Sequence, residues 1–405
     1  MAETEAGLEM DRDGGADGSA SGGDVDAAPS DAGDGKTIIL AAGGTGGHLF
    51  PAFALAQELS RRGYAVDLMT DMRGDRYGTG FPARTVHKVP SATLKGKSPI
   101  ALAKTALTLS RGVAAARRIM SEVRPSVVVG FGGYPSFPPL MAARMKGIKT
   151  ILHEQNAVLG RANRLLAKRV DAVATSFAHT KYLEGSALAD KARHTGNPVR
   201  DNVLAAASVP YPELNDSERI NLLIFGGSQG ARYFSETLPT ALKQLPDDLR
   251  SRIVVIQQAR SEDIDGVRMS YANGGITARV ETFFADLPAI IGAAHLVIAR
   301  AGASSIAELT VIGRPSVLVP LPHALDNDQL LNATRLAESG GAWCVEQGQA
   351  TADWFQQHLT GVLRHPSGLI GAAAAAKACG LPDAVRRLAD LVEELAITDV
   401  HGVPA

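Results

Sequence analysis

A glycine-rich segment that ends in a histidine, Gly43-Gly44-Thr45-Gly46-Gly47-His48, has the residue types best suited to chemistry. It follows an apolar run, Thr37–Ala41, that predicts a buried strand, and it precedes a predicted helix over Pro51–Arg62. Glycines in such a turn let backbone N–H groups approach a diphosphate or a sugar ring closely. A helix N-terminus also favours neutral imidazole, which makes His48 a candidate general base.

Two common nucleotide-binding loops do not fit this segment. A P-loop ends in Gly-Lys-Ser/Thr, whereas Gly47 is followed by His48 and Leu49. A dinucleotide fingerprint would have Gly or Ala in place of Leu49, and Asp67, near the spacing of the ribose acid, lies inside a predicted strand. The sequence therefore gives poor support for classical NAD binding.

A second glycine turn occurs in the other half of the chain. The predicted strand Asn221–Phe225 is followed by Gly226-Gly227-Ser228-Gln229-Gly230-Ala231 and a helix. Two such units predict two Rossmann-like α/β domains with parallel sheets that face a shared cleft. Further predicted strands are Ser126–Val129, Thr150–Leu152, Ala172–Ala174, Arg252–Ile256, Leu296–Ala299 and Ser316–Val319, and further predicted helices include Ala303–Ile312, Gln329–Ser339 and Asp383–Leu395.

Length and composition agree with two domains. The chain has 405 residues, 45% of them hydrophobic, and a net charge of −1, which disfavours a nucleic-acid partner. Two cysteines in no metal-binding pattern favour a reducing cytoplasm and inert core positions. Residues 1–35, acidic and rich in Gly, Ala and Ser, predict a disordered tail, and no later stretch has the ~20 apolar residues of a bilayer span.

Seven motifs, in order along the chain, resemble those of the MurG family of GT-B glycosyltransferases, which add N-acetylglucosamine to lipid I in peptidoglycan synthesis. They are GGTGGHLFP (Gly43–Pro51), GFGGYPS (Gly130–Ser136), LHEQN (Leu152–Asn156), GNPVR (Gly196–Arg200), GGSQGA (Gly226–Ala231), RAGASSIAE (Arg300–Glu308) and the pair Asp328-Gln329. The resemblance covers nearly everything after the tail.

The resemblance implies a domain plan and an activity. The plan is an acceptor- and membrane-side domain over residues 36–199, a UDP-sugar domain over 200–382, and a C-terminal helix within 383–405 that packs back on the first domain. The activity is transfer of N-acetylglucosamine from UDP-N-acetylglucosamine to the C4 hydroxyl of the muramyl sugar of lipid I, with inversion and without metal or cofactor. The product is lipid II.

The resemblance also implies roles for individual residues. Ser228 holds phosphate, Phe283 covers the uracil, the Phe284 backbone reads its edge, and Glu308 binds the ribose hydroxyls. The helix start beside the diphosphate comprises Ala303, Ser304, Ser305, Ile306 and Ala307. Gln329 and Asn156 contact the sugar, Arg200 contacts the ligand at the hinge, and Thr45, Gly46 and Gly47 line the opposite wall. Glu154 is the second candidate base or a group that orients His48.

Several alternatives stay open on the sequence alone. Glu154 and Asn156 could cap a helix, and Asp326-Asn327-Asp328, which imitates a metal-binding motif, is interpreted as helix capping. Gln257-Gln258-Ala259-Arg260 departs from the family pattern and is left out of the site. Rival functions are a UDP-sugar 2-epimerase, a transferase with a soluble acceptor, and a regulator that binds nucleotide sugar without turnover.

A basic and apolar segment lies in the first half of the chain. Lys104, Arg111 and Arg118 recur every seven residues, close to one stripe of a helix, with Lys95 and Lys97 before them and leucines between them. Such a surface suits an anionic leaflet, and the resemblance places it on the cytoplasmic face of the inner membrane. Other cell-wall assembly proteins are candidate partners there.

Overall fold

The computed structural model describes residues 37–43, 46–71, 80–92, 98–215, 219–227 and 232–398. The predicted tail, Thr45, Lys95, Lys97 and Ser228 lie outside the described residues.

The first half is built on a seven-stranded parallel sheet with the order β3-β2-β1-β4-β5-β6-β7. Its strands are β1 (Thr37–Ala41), β2 (Ala65–Thr70), β3 (Thr85–Lys88), β4 (Val127–Gly130), β5 (Lys149–Glu154), β6 (Ala172–Thr175) and β7 (Ala192–His194). Strand order reverses at β1, which pairs with β2 on one side and with β4 on the other. Ile38 of β1 lies opposite Val127 of β4. In open α/β sheets ligands bind at such a switch point, beyond the carboxyl ends of the strands.

The second half repeats this topology in a six-stranded parallel sheet with the order β10-β9-β8-β11-β12-β13. Its strands are β8 (Ile220–Phe225), β9 (Ile253–Gln258), β10 (Thr277–Glu281), β11 (Leu296–Ala299), β12 (Ser316–Leu318) and β13 (Ala342–Cys344). Each glycine turn therefore follows the strand at the switch point of its own sheet, as two facing Rossmann-like units require. The predicted fold class, a pair of parallel-sheet α/β domains of the GT-B type, is confirmed.

Helices connect the strands and cover both faces of each sheet. They are α1 (Gly46–Arg61), α2 (Pro99–Val123), α3 (Gly133–Met145), α4 (Arg161–Ala167), α5 (Asp201–Ala207), α6 (Arg232–Lys243), α7 (Asp247–Arg250), α8 (Ile264–Asn273), α9 (Leu287–Ala293), α10 (Ala303–Ile312), α11 (Asp328–Glu338), α12 (Ala352–Leu363), α13 (Pro366–Ala378) and α14 (Ala384–Thr398), with short 3-10 turns at Ala189–Lys191 and Leu325–Asn327. None of the described helices is long and apolar enough to cross a membrane.

The core has one apolar layer on each face of each sheet. In β1 the side chains of Ile38 and Leu40 enter one layer and those of Ile39 and Ala41 enter the other, because alternate residues of a strand point to opposite faces. The last helix, α14, returns to the first half, where Leu388 and Val392 are fully buried in the same layer as Ile38.

Helix α1 begins five residues earlier than the sequence predicts. It starts at Gly46, so His48 lies in its first turn and Pro51 lies inside the helix. Pro51 is the sixth residue of the helix and has no N–H, so the carbonyl of Gly47 lacks its intrahelical donor, and the Oγ of Ser304 lies 3.5 Å from this carbonyl. The glycine turn is correspondingly shorter, and the histidine is held by helical backbone.

Candidate functional site

A cleft of about 610 Å³ lies between the two halves, beyond the carboxyl ends of β8, β9 and β11. The first half contributes Gly46, Gly47 and Phe50 from the start of α1. From the other side, the cleft is lined by the predicted site residues Arg200, Phe283, Phe284, Ala303, Ser304, Ser305, Glu308 and Gln329. The cleft thus brings together ten of the predicted substrate-binding residues.

Glycines let two loops of the first half approach each other beside His48. Gly133, at the start of α3, has a φ of +70°, and a Cβ there would lie 3.2 Å from Cε1 of His48. Gly43 packs equally tightly on Pro135, since a Cβ on this glycine would lie 3.0 Å from the proline ring. The Ser136 hydroxyl ties α3 to β1 by donating to the carbonyl of Ala41 at 2.9 Å. The histidine is therefore fixed by two glycine motifs at once.

Burial keeps His48 neutral. The ring is partly buried, and desolvation lowers the pKa of His48 to about 4, so the imidazole is uncharged at neutral pH and able to accept a proton. The nearby His153 also has its pKa lowered to about 4 by burial, and its Nε2 lies 3.0 Å from the carbonyl of Gly196. Of the two histidines only His48 lies on the exposed side, since His153 is completely buried.

Glu154 is buried and saturated with hydrogen bonds from its own loop. Its Oε1 accepts from the backbone N–H of Asn156 at 3.0 Å and from the Asn156 amide at 3.3 Å. Its Oε2 accepts from the N–H of Gly160 at 2.9 Å and from Nδ2 of Asn163 at 2.7 Å. Burial raises the pKa of Glu154, while these four donors favour its charged form. The carboxylate holds the loop together and does not line the cleft.

Arg200 connects the two halves at the floor of the cleft. Its Nη2 donates to Oε1 of Glu308 at 3.1 Å, and its guanidinium lies 4.0 Å from the ring centre of Phe50. Glu308 is 6% exposed, and burial raises the pKa of this carboxyl against the opposing effect of Arg200. Within the described part of the chain Arg200 is the one hydrogen-bond donor to Glu308, which leaves acceptor capacity toward the cleft.

The remaining predicted residues occupy three kinds of position. Phe283 is 67% exposed at the cleft, whereas Phe284 is buried. Oε1 of Gln329 accepts a hydrogen bond from the backbone N–H of Leu321. Ser304 lies where α10 meets α1, with its Oγ 3.5 Å from the carbonyl of Gly47. Ile306 and Ala307 line a different cavity, on the other face of α10.

Several cleft residues are absent from the site that the sequence predicts, among them three with polar or charged side chains. Gln258, Arg260 and Arg300 line the cleft, and the first two belong to the segment that departs from the family pattern. Their position at the ends of β9 and β11 was the available signal, since ligands bind beyond strand ends. Arg300 is buried, and its guanidinium donates to the carbonyls of Val319 and Pro320.

Two second-half residues outside the cleft lining, Asn332 and Asp326, make polar contacts with the first half. The buried Asn332 accepts from the N–H of Ala157 at 2.8 Å and donates to Oδ1 of Asn156 and to the carbonyl of Ala301. Asp326, interpreted from the sequence as part of a helix cap, instead pairs with Arg164 at 3.0 Å and more loosely with Arg161. Its neighbour Asn327 precedes α11 without a capping hydrogen bond from its side chain.

The basic segment forms the outer face of α2. Lys104, Arg111 and Arg118 are exposed, and Arg118 pairs with Glu122 at 3.3 Å. Large apolar side chains stand beside them, with Ile100 81% exposed and Leu107 53% exposed. Exposed apolar side chains therefore stand next to positive charge on this face of α2.

Two family models match this chain. The glycosyltransferase family 28 N-terminal domain matches residues 38–175, and the family 28 C-terminal domain matches residues 221–388. Each match contains one of the two sheets and its glycine turn.

Individual relatives agree with the family models. The chain is 50% identical over 359 residues, 89% of its length and 95% of the relative's, to a protein of Rhizobium johnstonii named UDP-N-acetylglucosamine–N-acetylmuramyl-(pentapeptide) pyrophosphoryl-undecaprenol N-acetylglucosamine transferase. Among solved structures it is similar to MurG of Acinetobacter baumannii, with a TM-score of 0.72, 28% identity, and coverage of 89% of this chain and 99% of that one. A UDP-GlcNAc 2-epimerase of Neisseria meningitidis shares the fold alone, with a TM-score of 0.64, 12% identity, and coverage of 89% and 100%.

Proposed function

Because the chain belongs to glycosyltransferase family 28, we propose that it transfers N-acetylglucosamine from UDP-N-acetylglucosamine to the C4 hydroxyl of the muramyl sugar of undecaprenyl-linked lipid I, which forms lipid II. The observation that carries this proposal is the 50% identity, over 89% of the chain, to transferases named for that reaction. The cleft supplies a physical basis for it, since Gly46 and Gly47, which directly precede the neutral His48, line the same nucleotide-sized cavity as Arg200 and Glu308.

The donor is bound by the second half. Glu308 accepts hydrogen bonds from the ribose hydroxyls, and Phe283 covers the uracil from its exposed position. The diphosphate lies at the N-terminus of α10, where free backbone N–H groups and the helix dipole favour negative charge. Arg200 and Arg260 add positive charge at the same cleft, and Gln329 and Asn156 contact the sugar.

The acceptor hydroxyl is activated from the first half. It attacks the anomeric carbon of the donor while His48 takes its proton, and UDP leaves as an anion stabilised by the helix terminus and by Arg200. One displacement inverts the anomeric centre, so the α-linked donor gives a β-linked product. Glu154 acts as a positioning residue for the loop that carries Asn156, because its four hydrogen bonds occupy both oxygens.

The reaction is tested with UDP-N-acetylglucosamine that is radiolabelled in the sugar and with a lipid I analogue. We expect labelled β-linked disaccharide product in the presence of the analogue and none without it. Conversion of the donor to its 2-epimer without acceptor would establish the rival epimerase activity. Donor binding with no turnover of either kind would establish a regulator.

We also propose that the chain divides into domains at residues 36–199 and 200–382, with 383–405 returning to the first. Two packing observations support this division. Val203 of α5 is buried in the same cluster as Leu223 of the second sheet, and Leu388 of α14 is buried with Ile38 of the first.

The face of α2 is proposed to hold the enzyme on the anionic cytoplasmic leaflet, near its lipid-linked acceptor. We expect the triple charge reversal Lys104→Glu, Arg111→Glu, Arg118→Glu to lower binding to phosphatidylglycerol vesicles at least tenfold in co-sedimentation, because each basic residue near such a surface contributes about 1 kcal/mol. Transfer to a water-soluble acceptor should be unchanged. Equal vesicle binding by the variant would reject this surface.

A further inference from the structure

The side chain of Gln258 continues two strand ladders beyond their ends. Strand β9 lies between β8 and β10 in the second sheet, and Gln258 is its last residue. Oε1 of Gln258 accepts a hydrogen bond from the backbone N–H of Gly226 at 3.3 Å, directly after the end of β8. Nε2 donates to the carbonyl of Thr282 at 3.2 Å, directly after the end of β10. One carboxamide therefore bridges the two loops that follow the neighbouring strands.

The two partners require a carboxamide in this orientation. The N–H of Gly226 can only donate and the carbonyl of Thr282 can only accept, so the oxygen of Gln258 faces the first and its NH₂ group faces the second. Among the described residues, Gln258 is the one hydrogen-bond partner of each of these two backbone groups. A glutamate would lack the donor for Thr282, and an apolar side chain would leave both groups unpaired.

Both loops line the cleft, and both have few other contacts that fix them. Gly227 has a φ of +80°, and a Cβ there would meet no described atom within 4 Å, so that side of the turn is open. Phe283, which follows Thr282, is 67% exposed. The last described backbone bond between β9 and β10 ends on Glu281, one residue before Thr282. The relative position of the two loops therefore depends on the side chain of Gln258.

We propose that Gln258 is a positioning residue that sets the separation between the uracil end and the diphosphate end of the donor site. The inference rests on the proposed function, with the uracil at Phe283 and the phosphates at the turn of Gly226 and Gly227. UDP spans both loops, so both of its ends are bound together only when the loops stand at the right separation. The bridge fixes this separation before UDP binds, which reduces the free energy that binding loses in ordering the loops.

This role predicts a particular pattern of binding losses. A residue that touches one end of the ligand should weaken the fragment with that end as much as it weakens UDP. A residue that only fixes the separation should weaken UDP and spare each fragment, because two linked groups gain affinity only when the geometry lets both engage at once. Uridine contains the first end of UDP, and inorganic pyrophosphate represents the second.

Gln258→Met keeps the length of the side chain and removes both hydrogen bonds. We expect the Kd for UDP to rise about tenfold, since two hydrogen bonds of ordinary strength are lost. The Kd values for uridine and for pyrophosphate should change less than about twofold. Calorimetric titration measures UDP, and displacement titration measures the weaker fragments. Gln357→Met, at an exposed position of α12, is the matched control and should leave all three Kd values unchanged.

Gln258→Glu separates the bridge from the shape of the side chain. At pH 7.5 its carboxylate accepts from Gly226 but repels the carbonyl of Thr282, so UDP should bind about tenfold more weakly. A protonated carboxyl again offers one acceptor and one donor, and the facing carbonyl favours this form. The ratio of the variant's Kd to the wild-type Kd should therefore fall at least about threefold between pH 7.5 and pH 5. The same ratio for Gln258→Met should stay constant.

Three results would overturn the positioning role. They are an unchanged Kd for UDP in Gln258→Met, an equally large loss for uridine or pyrophosphate alone, and a Gln258→Glu ratio that is the same at both pH values. If Gln258→Met fails to fold, Gln258→Glu decides the question with the same three ligands. A wild-type protein that binds UDP but transfers no sugar would overturn the proposed function, while the binding pattern still decides the bridge. A wild-type protein that binds no UDP would overturn both.

Discussion

The two halves of the molecule each contain a buried glutamate from a predicted site motif, and these two residues are held in opposite ways. Glu154 in the first half receives four hydrogen bonds from its own loop and lies outside the cleft. Glu308 in the second half has one described donor, Arg200, and lines the cleft. A saturated carboxylate stabilises its own loop, whereas an unsaturated one is available for a ligand. Hydrogen-bond saturation therefore distinguishes structural from binding roles where burial and residue type do not.

The largest expected effect concerns His48, which follows the cleft residues Gly46 and Gly47 in the first turn of α1. His48→Ala should lower kcat by about 10²- to 10⁴-fold, the usual contribution of a general base, and should leave the Kd for UDP nearly unchanged. Steady-state kinetics and UDP titration measure the two quantities. His365→Ala, an exposed histidine at the start of α13, is the control. Unchanged turnover in His48→Ala would transfer the role of base to another group.

Glu154→Gln tests the glutamate whose two oxygens both accept hydrogen bonds from its own loop. A glutamine presents one oxygen and one NH₂ group, so the charge and about two of the four hydrogen bonds are lost. Since each hydrogen bond to a charged group contributes about 1.5–3 kcal/mol, we expect the free energy of unfolding to fall by roughly 3 kcal/mol in urea titrations. The donor KM should change little. A stable variant with kcat as low as that of His48→Ala would instead make Glu154 the base.

Glu308→Ala tests the glutamate that has one described hydrogen-bond donor and lines the cleft. Loss of hydrogen bonds from the ribose hydroxyls to a carboxylate, about 1.5–3 kcal/mol, should raise the donor KM roughly ten- to a hundredfold. The preference for UDP-N-acetylglucosamine over its 2′-deoxyribose analogue should narrow, and the acceptor KM should move much less. Glu338→Ala, on the exposed end of α11, is the control. Wild-type ribose preference in Glu308→Ala would remove this residue from the donor site.

The smallest expected effect is a difference in pH dependence between the walls. Burial lowers the pKa of His48 to about 4, so the neutral base persists as the pH falls from 7.5 to 5.5, and kcat should change less than about twofold. Burial raises the pKa of Glu308, so this carboxylate is protonated first and the donor KM should rise before kcat falls. A series of kinetic measurements that continues below pH 5.5, until kcat falls, checks the order. A kcat that falls about tenfold by pH 5.5 would indicate a base with the ordinary histidine pKa.

Much of the fold was predictable because the central strands are continuous apolar runs. Leu296–Ala299 and Ala303–Ile312 have the predicted bounds, since a buried strand and a capped helix carry strong local signals. Edge strands were missed. Thr85–Lys88 has three exposed residues of four, and it forms a strand only because β2 offers a partner. Pairing with a distant segment leaves no local pattern to recognise.

Only part of the site could be predicted, because some of its residues reach the cleft through the fold and carry no local sequence signal. Motif positions such as Gly46, Arg200 and Glu308 could be carried over from the family resemblance, and the structure gathers them at one cleft. Arg260 could not, because its residue type departs from the family pattern and only the position of β9 brings it to the cleft. The four hydrogen bonds that Glu154 accepts could not be predicted from the sequence either, since they depend on the path of the loop through residue 160.

The return of α14 to the first half has a consequence for the order in which the protein is made. The layer that contains Ile38 and Leu55 is completed by Leu388 and Val392, more than 300 residues later in the chain. The ribosome therefore releases the first sheet long before the helix that covers α1 exists. During that interval an apolar surface stays open, and the whole second half must be synthesised before the first can close.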